Sequence, residues 1–165
     1  MNDYGTYIAG DSLRFERLLS APPERVWEFL TKSEYLVGWL GDGEIDAKVG
    51  GEVFLRSGGP VIRGTVLVSE PPSRLSYTWN VLMLGEETPM TIESTLHYEM
   101  TEEDGKTRLV LTQGPIESDY RGRAGAGWHA ILDILGSHAA GEDAPDFMDV
   151  FQRVYPDYEM RAAQP

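Results

Sequence analysis

Cysteine is absent from the 165-residue chain. That excludes disulfides, thiolate nucleophiles and every metal site built on cysteine. Also missing is any run of about 20 apolar residues, the length a spanning helix needs, so no membrane insertion is expected. The opening Met1-Asn2-Asp3-Tyr4-Gly5-Thr6 has neither the basic nor the apolar region of a secretory signal, which makes a cytoplasmic location the expectation. Positive charge is scarce. Against 27 acidic residues stand 14 basic ones, for a formal net charge of −13. Binding a polyanion needs cations that displace its condensed counterions, so nucleic acid is not an expected partner, and anionic membrane surfaces are disfavoured. Histidine is rare too, with His97, His129 and His138 the full set. His129 and His138 fall on different flanks of one helical pattern, and no HExxH, paired-His or Cys/His spacing occurs. Neither a metal nor a cofactor is expected.

What the chain does have is a series of strand-like segments between an early and a late helical one. Leu13, Phe15, Arg17 and Leu19 share one face of a first strand, with Arg14, Glu16 and Leu18 on the other. Pro22-Pro23 stops that strand and presets the backbone for a helix start, and Val26, Trp27, Phe29 and Leu30 then recur at helical spacing. A short second helical stretch from Glu34 to Leu40 carries Tyr35, Leu36 and Trp39. Strands follow over 44–48 and 52–56, joined at Val49-Gly50-Gly51, and then over 61–69, 74–81, 90–100 and 107–113. Ser57-Gly58-Gly59-Pro60, Glu70-Pro71-Pro72-Ser73 and Glu103-Asp104-Gly105 are turns, and Leu84 to Pro89 reads as a loop. Connections this short make an antiparallel meander. The longest helical pattern is expected to begin between Ala124 and Trp128, after flexible Gly122, Gly125 and Gly127. Trp128, Ile131, Leu132, Leu135 and Ala139 form its apolar stripe, and Gly141 ends it. Beyond it, Asp146 to Tyr158 holds Phe147, Val150, Phe151, Val154 and Tyr158 at helical spacing, an amphipathic tail expected to dock.

Placed in this order, several segments resemble a known family. They are Ala21-Pro22-Pro23-Glu24-Arg25-Val26-Trp27, Trp39-Leu40, Val49-Gly50-Gly51, Gly64-Thr65-Val66, Pro71-Pro72-Ser73-Arg74-Leu75-Ser76-Tyr77-Thr78-Trp79, and Gly127-Trp128 with Leu132 and Leu135. The chain resembles the START-like superfamily, and more narrowly the family named after the C-terminal domain of the Hsp90 ATPase activator. The resemblance implies an α+β protein of the helix-grip (START/Bet v 1-like) fold. In that fold a curved antiparallel sheet of six to seven strands wraps a long C-terminal helix around an internal apolar cavity. Residues 1–142 are then the domain proper, and 143–165 a helical extension within the same globular unit. The co-chaperone of the family name has a separate N-terminal domain important for engaging Hsp90. This chain has no room for one, so an Hsp90 interaction is not expected.

Candidate ligand contacts follow from the strand faces. Tyr77 and Trp79 share one face with Leu75, Leu96 and Tyr98 share another with Met100, and Phe54, Trp128 and Leu132 add to the apolar set. Such residues build an apolar pocket or simply fill a core. Arg17 and Gln113 alternate with apolar neighbours, so each needs a partner when buried. Either it holds a ligand head group, or it sits at a strand end or has an internal partner such as a carboxylate. No catalytic signature is present. General acid–base chemistry would have to draw on Glu93, Glu99 or His129, with Tyr77 or Tyr98 as proton donor. The leading reading is non-catalytic binding of a small hydrophobic or amphipathic molecule. The alternatives are an enzyme of the polyketide cyclase or aromatase kind, and a chaperone-associated protein-binding domain. A homodimer through the sheet face or the tail is compatible with the sequence, and so is a tail that caps the cavity mouth.

Overall fold

Period-two alternation in the first long strand decides which way the sheet faces. In the computed structural model, which describes residues 3–8, 11–57, 59–83 and 90–163, a short strand β1 (Thr6–Ile8) pairs antiparallel with β2 (Ser12–Leu19). Leu13, Phe15, Arg17 and Leu19 are all buried, and the residues between them are not. The chain then enters α1 (Pro23–Thr31), whose Pro23 occupies the first turn, where a missing amide proton costs nothing. Val26, Phe29 and Leu30 are its buried face. A single-turn helix α2 (Ser33–Leu36) follows, and the Trp39 indole N–H just beyond it donates to the Phe29 carbonyl at 2.8 Å, tying the end of this segment back to α1.

Six more strands complete the sheet: β3 (Asp42–Ile45), β4 (Glu52–Arg56), β5 (Val61–Glu70), β6 (Arg74–Met83), β7 (Met90–Glu103) and β8 (Lys106–Gly114). Every pairing is antiparallel, and the described sheet has eight strands in the order β1-β2-β8-β7-β6-β5-β4-β3. The strand beyond the expected six or seven is β1, too short to leave a period-two signal. β3 starts earlier and ends sooner than its apolar pattern suggests, so the link to β4 is wider than a tight hairpin. The expected loop from Leu84 to Pro89 lies outside the described residues. Between β7 and β8, Asp104 and Gly105 have φ of 53° and 80°, the left-handed pair that a two-residue hairpin matched to strand twist requires.

The long helix α3 (Arg121–Ala140) starts a turn earlier than the glycines suggest. Gly122 and Gly125 lie inside it, facing α4 (Phe147–Ala162), rather than in a flexible lead-in. A Cβ at Gly125 would fall within the van der Waals shell of the buried Tyr158 ring. The helix-propensity cost of glycine, about 1 kcal/mol, is therefore offset by close helix–helix packing. Gly141, with φ of 71°, ends α3: its N–H reaches the His138 carbonyl and the Glu142 N–H reaches that of Ser137, the paired bonds of a Schellman cap. Asp146 caps α4 by accepting from the Asp149 N–H. The tail is docked, with Val150, Val154 and Tyr158 buried. Among the described residues, no helix is long and apolar enough to cross a membrane.

Candidate functional site

A cavity of about 270 Å³ lies where α3 crosses the inner face of the sheet. Strand alternation brings Ile62 from β5, Trp79 and Val81 from β6 and Gln113 from β8 to its wall, while α3 supplies Ala124, Gly127, Trp128 and Ile131. These helix residues share one face because they recur at three and four residues. The Trp79 and Trp128 rings meet with centroids 5.3 Å apart, tilted by 47°, and form the inner wall.

A chain of hydrogen bonds fixes that wall. The Trp128 Nε1–H donates to Gln113 Oε1 at 2.6 Å, Gln113 Nε2 donates to Ser94 Oγ at 2.9 Å, and Ser94 Oγ donates to the Trp79 carbonyl at 3.0 Å. Three strands and the helix are thereby joined through one buried amide. Gln113 is 5% exposed and Ser94 5%, so water cannot readily replace a lost partner, and the amide is held in one orientation. Among the described residues no buried side-chain nitrogen or oxygen lacks a partner.

Of the residues expected to contact a ligand, Trp79, Gln113 and Trp128 line this cavity. Tyr77, Leu96 and Tyr98 sit beneath it in solid core, each at most 1% exposed. The Tyr77 and Tyr98 hydroxyls bond to each other at 3.2 Å, and burial pushes both phenols well up from their usual range. Such groups stay neutral and make poor proton donors.

The other three expected contacts also lie away from this cavity. Phe54 lies on the outer face of β4, half-buried under the guanidinium groups of Arg56 and Arg63. Val53, Phe54 and Leu55 are consecutive apolar residues, and Val53 and Leu55 take the inner face. Arg17 is committed internally: Nη1 meets Asp133 Oδ1 at 2.8 Å, and Nε and Nη2 donate to the Asp3 carbonyl. Leu132 faces a separate recess beside Arg17 and Asp133, apart from the Trp128 cavity.

Sequence reasoning missed most of the other wall residues, among them Ile62, Val81 and Ile131, and with them Ile116, Tyr120 and Arg123 at the approach to α3 and in its first turn. Moving the helix start upstream would have revealed those on α3 and at its N-terminus, since residues 120, 123, 124, 127 and 131 then fall on one stripe. The acid–base candidates do not reach the cavity. Glu93 and Glu99 are exposed, and His129 faces α4, with Nδ1 bonded to the Tyr158 hydroxyl at 2.9 Å. Among the described residues no cluster of three or more His, Asp or Glu could hold a metal ion. The tail helix also stays away. Counted at 100° per residue, its contact face on α3 is roughly 150° around from the cavity face, so α4 does not cap the mouth.

Residues 20–140 match the family described as activator of Hsp90 ATPase homolog 1-like protein. The chain belongs to that family. The matched segment holds every residue of the cavity wall and stops short of α4. Among solved structures, the activator-like chain is similar to CalU16 from Micromonospora echinospora, with a TM-score of 0.74 and 25% identity over 93% of this chain and 89% of that one. It is similar also to the protein encoded by gene BPP1335 of Bordetella parapertussis, with a TM-score of 0.71 and 31% identity over 97% and 91% of the two chains. DynU16, a protein of the dynemicin biosynthetic locus, shares the fold, with a TM-score of 0.67 and 22% identity over 80% of this chain and 48% of that one. No curated protein matches the chain.

Proposed function

We propose that this protein binds a small hydrophobic or amphipathic molecule, without chemical turnover, in the cavity between the sheet and α3. The observation that carries the reading is the apolar space of about 270 Å³ behind Trp79 and Trp128, whose wall is held by the Gln113 bonds. A dry cavity of about 150 Å³ accommodates benzene, so this one suits a bicyclic body. An aromatic body of that kind buries ~200 Å². At about 25 cal/mol per Å² this contributes about 5 kcal/mol, equivalent to a dissociation constant near 0.2 mM. Polar contacts would have to supply any tighter binding.

The test is to titrate neutral 2-naphthamide and follow the four tryptophan indole N–H resonances by NMR. The Trp79 and Trp128 signals should shift and saturate, while Trp39, whose indole is bonded to the Phe29 carbonyl, stays in place. Gly127→Leu supplies a control, because a Cβ at Gly127 meets nothing within 4 Å. Leucine there fills the cavity while favouring the helix, and binding should disappear from a folded protein. A titration that leaves Trp79 and Trp128 unmoved, or a Gly127→Leu variant that binds as well as the parent, overturns the reading.

A further inference from the structure

The polar groups around the cavity are unevenly distributed. At the inner end the Gln113 carbonyl and amide are both engaged, by Trp128 and by Ser94, so that end offers a ligand head group little. At the other end stands Arg123, exposed in the first turn of α3, the one charged residue among the described residues that line the cavity. Arg123, like Arg56, Lys106, Arg121 and Arg161, belongs to the minority of basic residues with no ion pair among the described residues. Arg17, Arg108, Lys32 and most of the other basic residues have a carboxylate within 4.0 Å. Arg123 has none among the described residues, although acidic residues outnumber basic ones 27 to 14.

Resting on the ligand-binding reading above, we propose that the occupant is an amphipathic carboxylic acid: a bicyclic apolar body against Trp79 and Trp128, with its carboxylate on Arg123 at the mouth. The guanidinium presents a planar fork of donors that matches a carboxylate with two parallel bonds. The positive end of the α3 dipole lies within the same turn and acts in the same sense. The opposing effect is the net charge of −13, which repels anions. That repulsion is screened beyond about 8 Å at physiological ionic strength, and the contact with Arg123 is much shorter, so the local attraction wins.

The experiment compares 2-naphthoate with 2-naphthamide, which share a ring system and differ in charge. Each is titrated against the parent protein, Arg123→Gln and Arg123→Lys, with the Trp128 indole N–H as reporter. A charge-assisted bond corresponds to about tenfold in affinity. The carboxylate should therefore bind the parent about tenfold more tightly than the amide. Arg123→Gln should bring the two to parity by weakening naphthoate alone, and Arg123→Lys should keep part of the preference. Added salt should weaken naphthoate and leave naphthamide unchanged. Equal binding of both compounds to the parent, or equal loss of both in Arg123→Gln, overturns the carboxylate assignment and leaves the ligand-binding reading standing. Failure of both compounds to bind the parent overturns both.

Discussion

Gln113 shows how one side chain sets both the stability and the shape of the cavity. Its carbonyl is the acceptor for a Trp128 indole that is 4% exposed. Gln113→Leu keeps the apolar volume but leaves that indole N–H without a partner. An orphaned buried donor costs about 1–3 kcal/mol, and urea unfolding should show that loss with the denaturant slope unchanged. The cost belongs to the pair, so it should shrink by about 1 kcal/mol when Trp128 is already phenylalanine, which has no donor to strand. An undiminished cost in the Trp128→Phe background would mean that Gln113 acts through packing instead. At this scale the sequence is only half readable. Alternation places Gln113 and Arg17 on apolar faces and thereby says that each needs a partner. The identity of the partner depends on how α3 is rotated. Gln113 meets the cavity tryptophan, and Arg17 meets Asp133 on another flank of the same helix.

α3 carries two kinds of interior glycine, and they should respond to alanine with opposite signs. At both sites alanine gains up to about 1 kcal/mol in helix propensity. At Gly127 the added methyl meets nothing within 4 Å, so Gly127→Ala should raise the thermal midpoint. At Gly125 the methyl runs into the Tyr158 ring, which is 0% exposed and held by hydrogen bonds with Gly5 and His129. Overpacking a filled site costs typically 1–3 kcal/mol, more than the propensity gain. Gly125→Ala should therefore lower the midpoint, and a rise at both positions would show that α4 shifts freely to make room. The same glycines explain what was hard to read at the element level. Strands β2 and β4 to β8 announce themselves through alternation and turn residues, and Gly141 marks the end of α3. Its start is concealed, because glycine lowers helix propensity whether it precedes a helix or lets a second helix approach one. Only the partner helix distinguishes the two cases, and nothing local to residues 121–127 encodes it. Phe54 fails for a related reason: three successive apolar residues carry no period, so the face is decided by the pairing of β4 with β3 and β5.

Across the whole molecule, the cavity and the tail are separate devices on opposite flanks of α3, and His129 sits at the centre of the second. Around it converge the Tyr158 hydroxyl and Arg153 from α4, Asp133 from α3, Arg17 and the Phe15 ring from β2, and the Tyr4 ring from the N-terminal segment. Tyr158 accepts the Gly5 N–H at 2.8 Å, and its hydroxyl meets His129 Nδ1 at 2.9 Å. Charging the ring would make Nδ1 a donor to a hydroxyl that already accepts the Gly5 N–H. Burial, and next to it the charge of Arg17, hold the His129 pKa below its usual 6.5, with Asp133 opposing them. The unfolded chain therefore takes up a proton at a higher pH than the folded one does. Stability from this group is full above pH 6.5 and falls as the pH drops from 6.5 toward the folded value. The slope is at most about 1.4 kcal/mol per pH unit, and no further loss occurs below that value. Thermal unfolding from pH 7.5 to 5.5 should show the decline in the parent and in a His97→Gln control, whose site is exposed. In His129→Gln the midpoint should start lower and lie nearly flat over the same range. Because the junction ties Gly5 and Tyr158 to β2 and α3, the decline should be accompanied by faster amide exchange in α4 while the Trp128 indole remains protected. If His129→Gln loses stability with acid as steeply as the parent does, the pH response originates elsewhere and the junction serves packing alone.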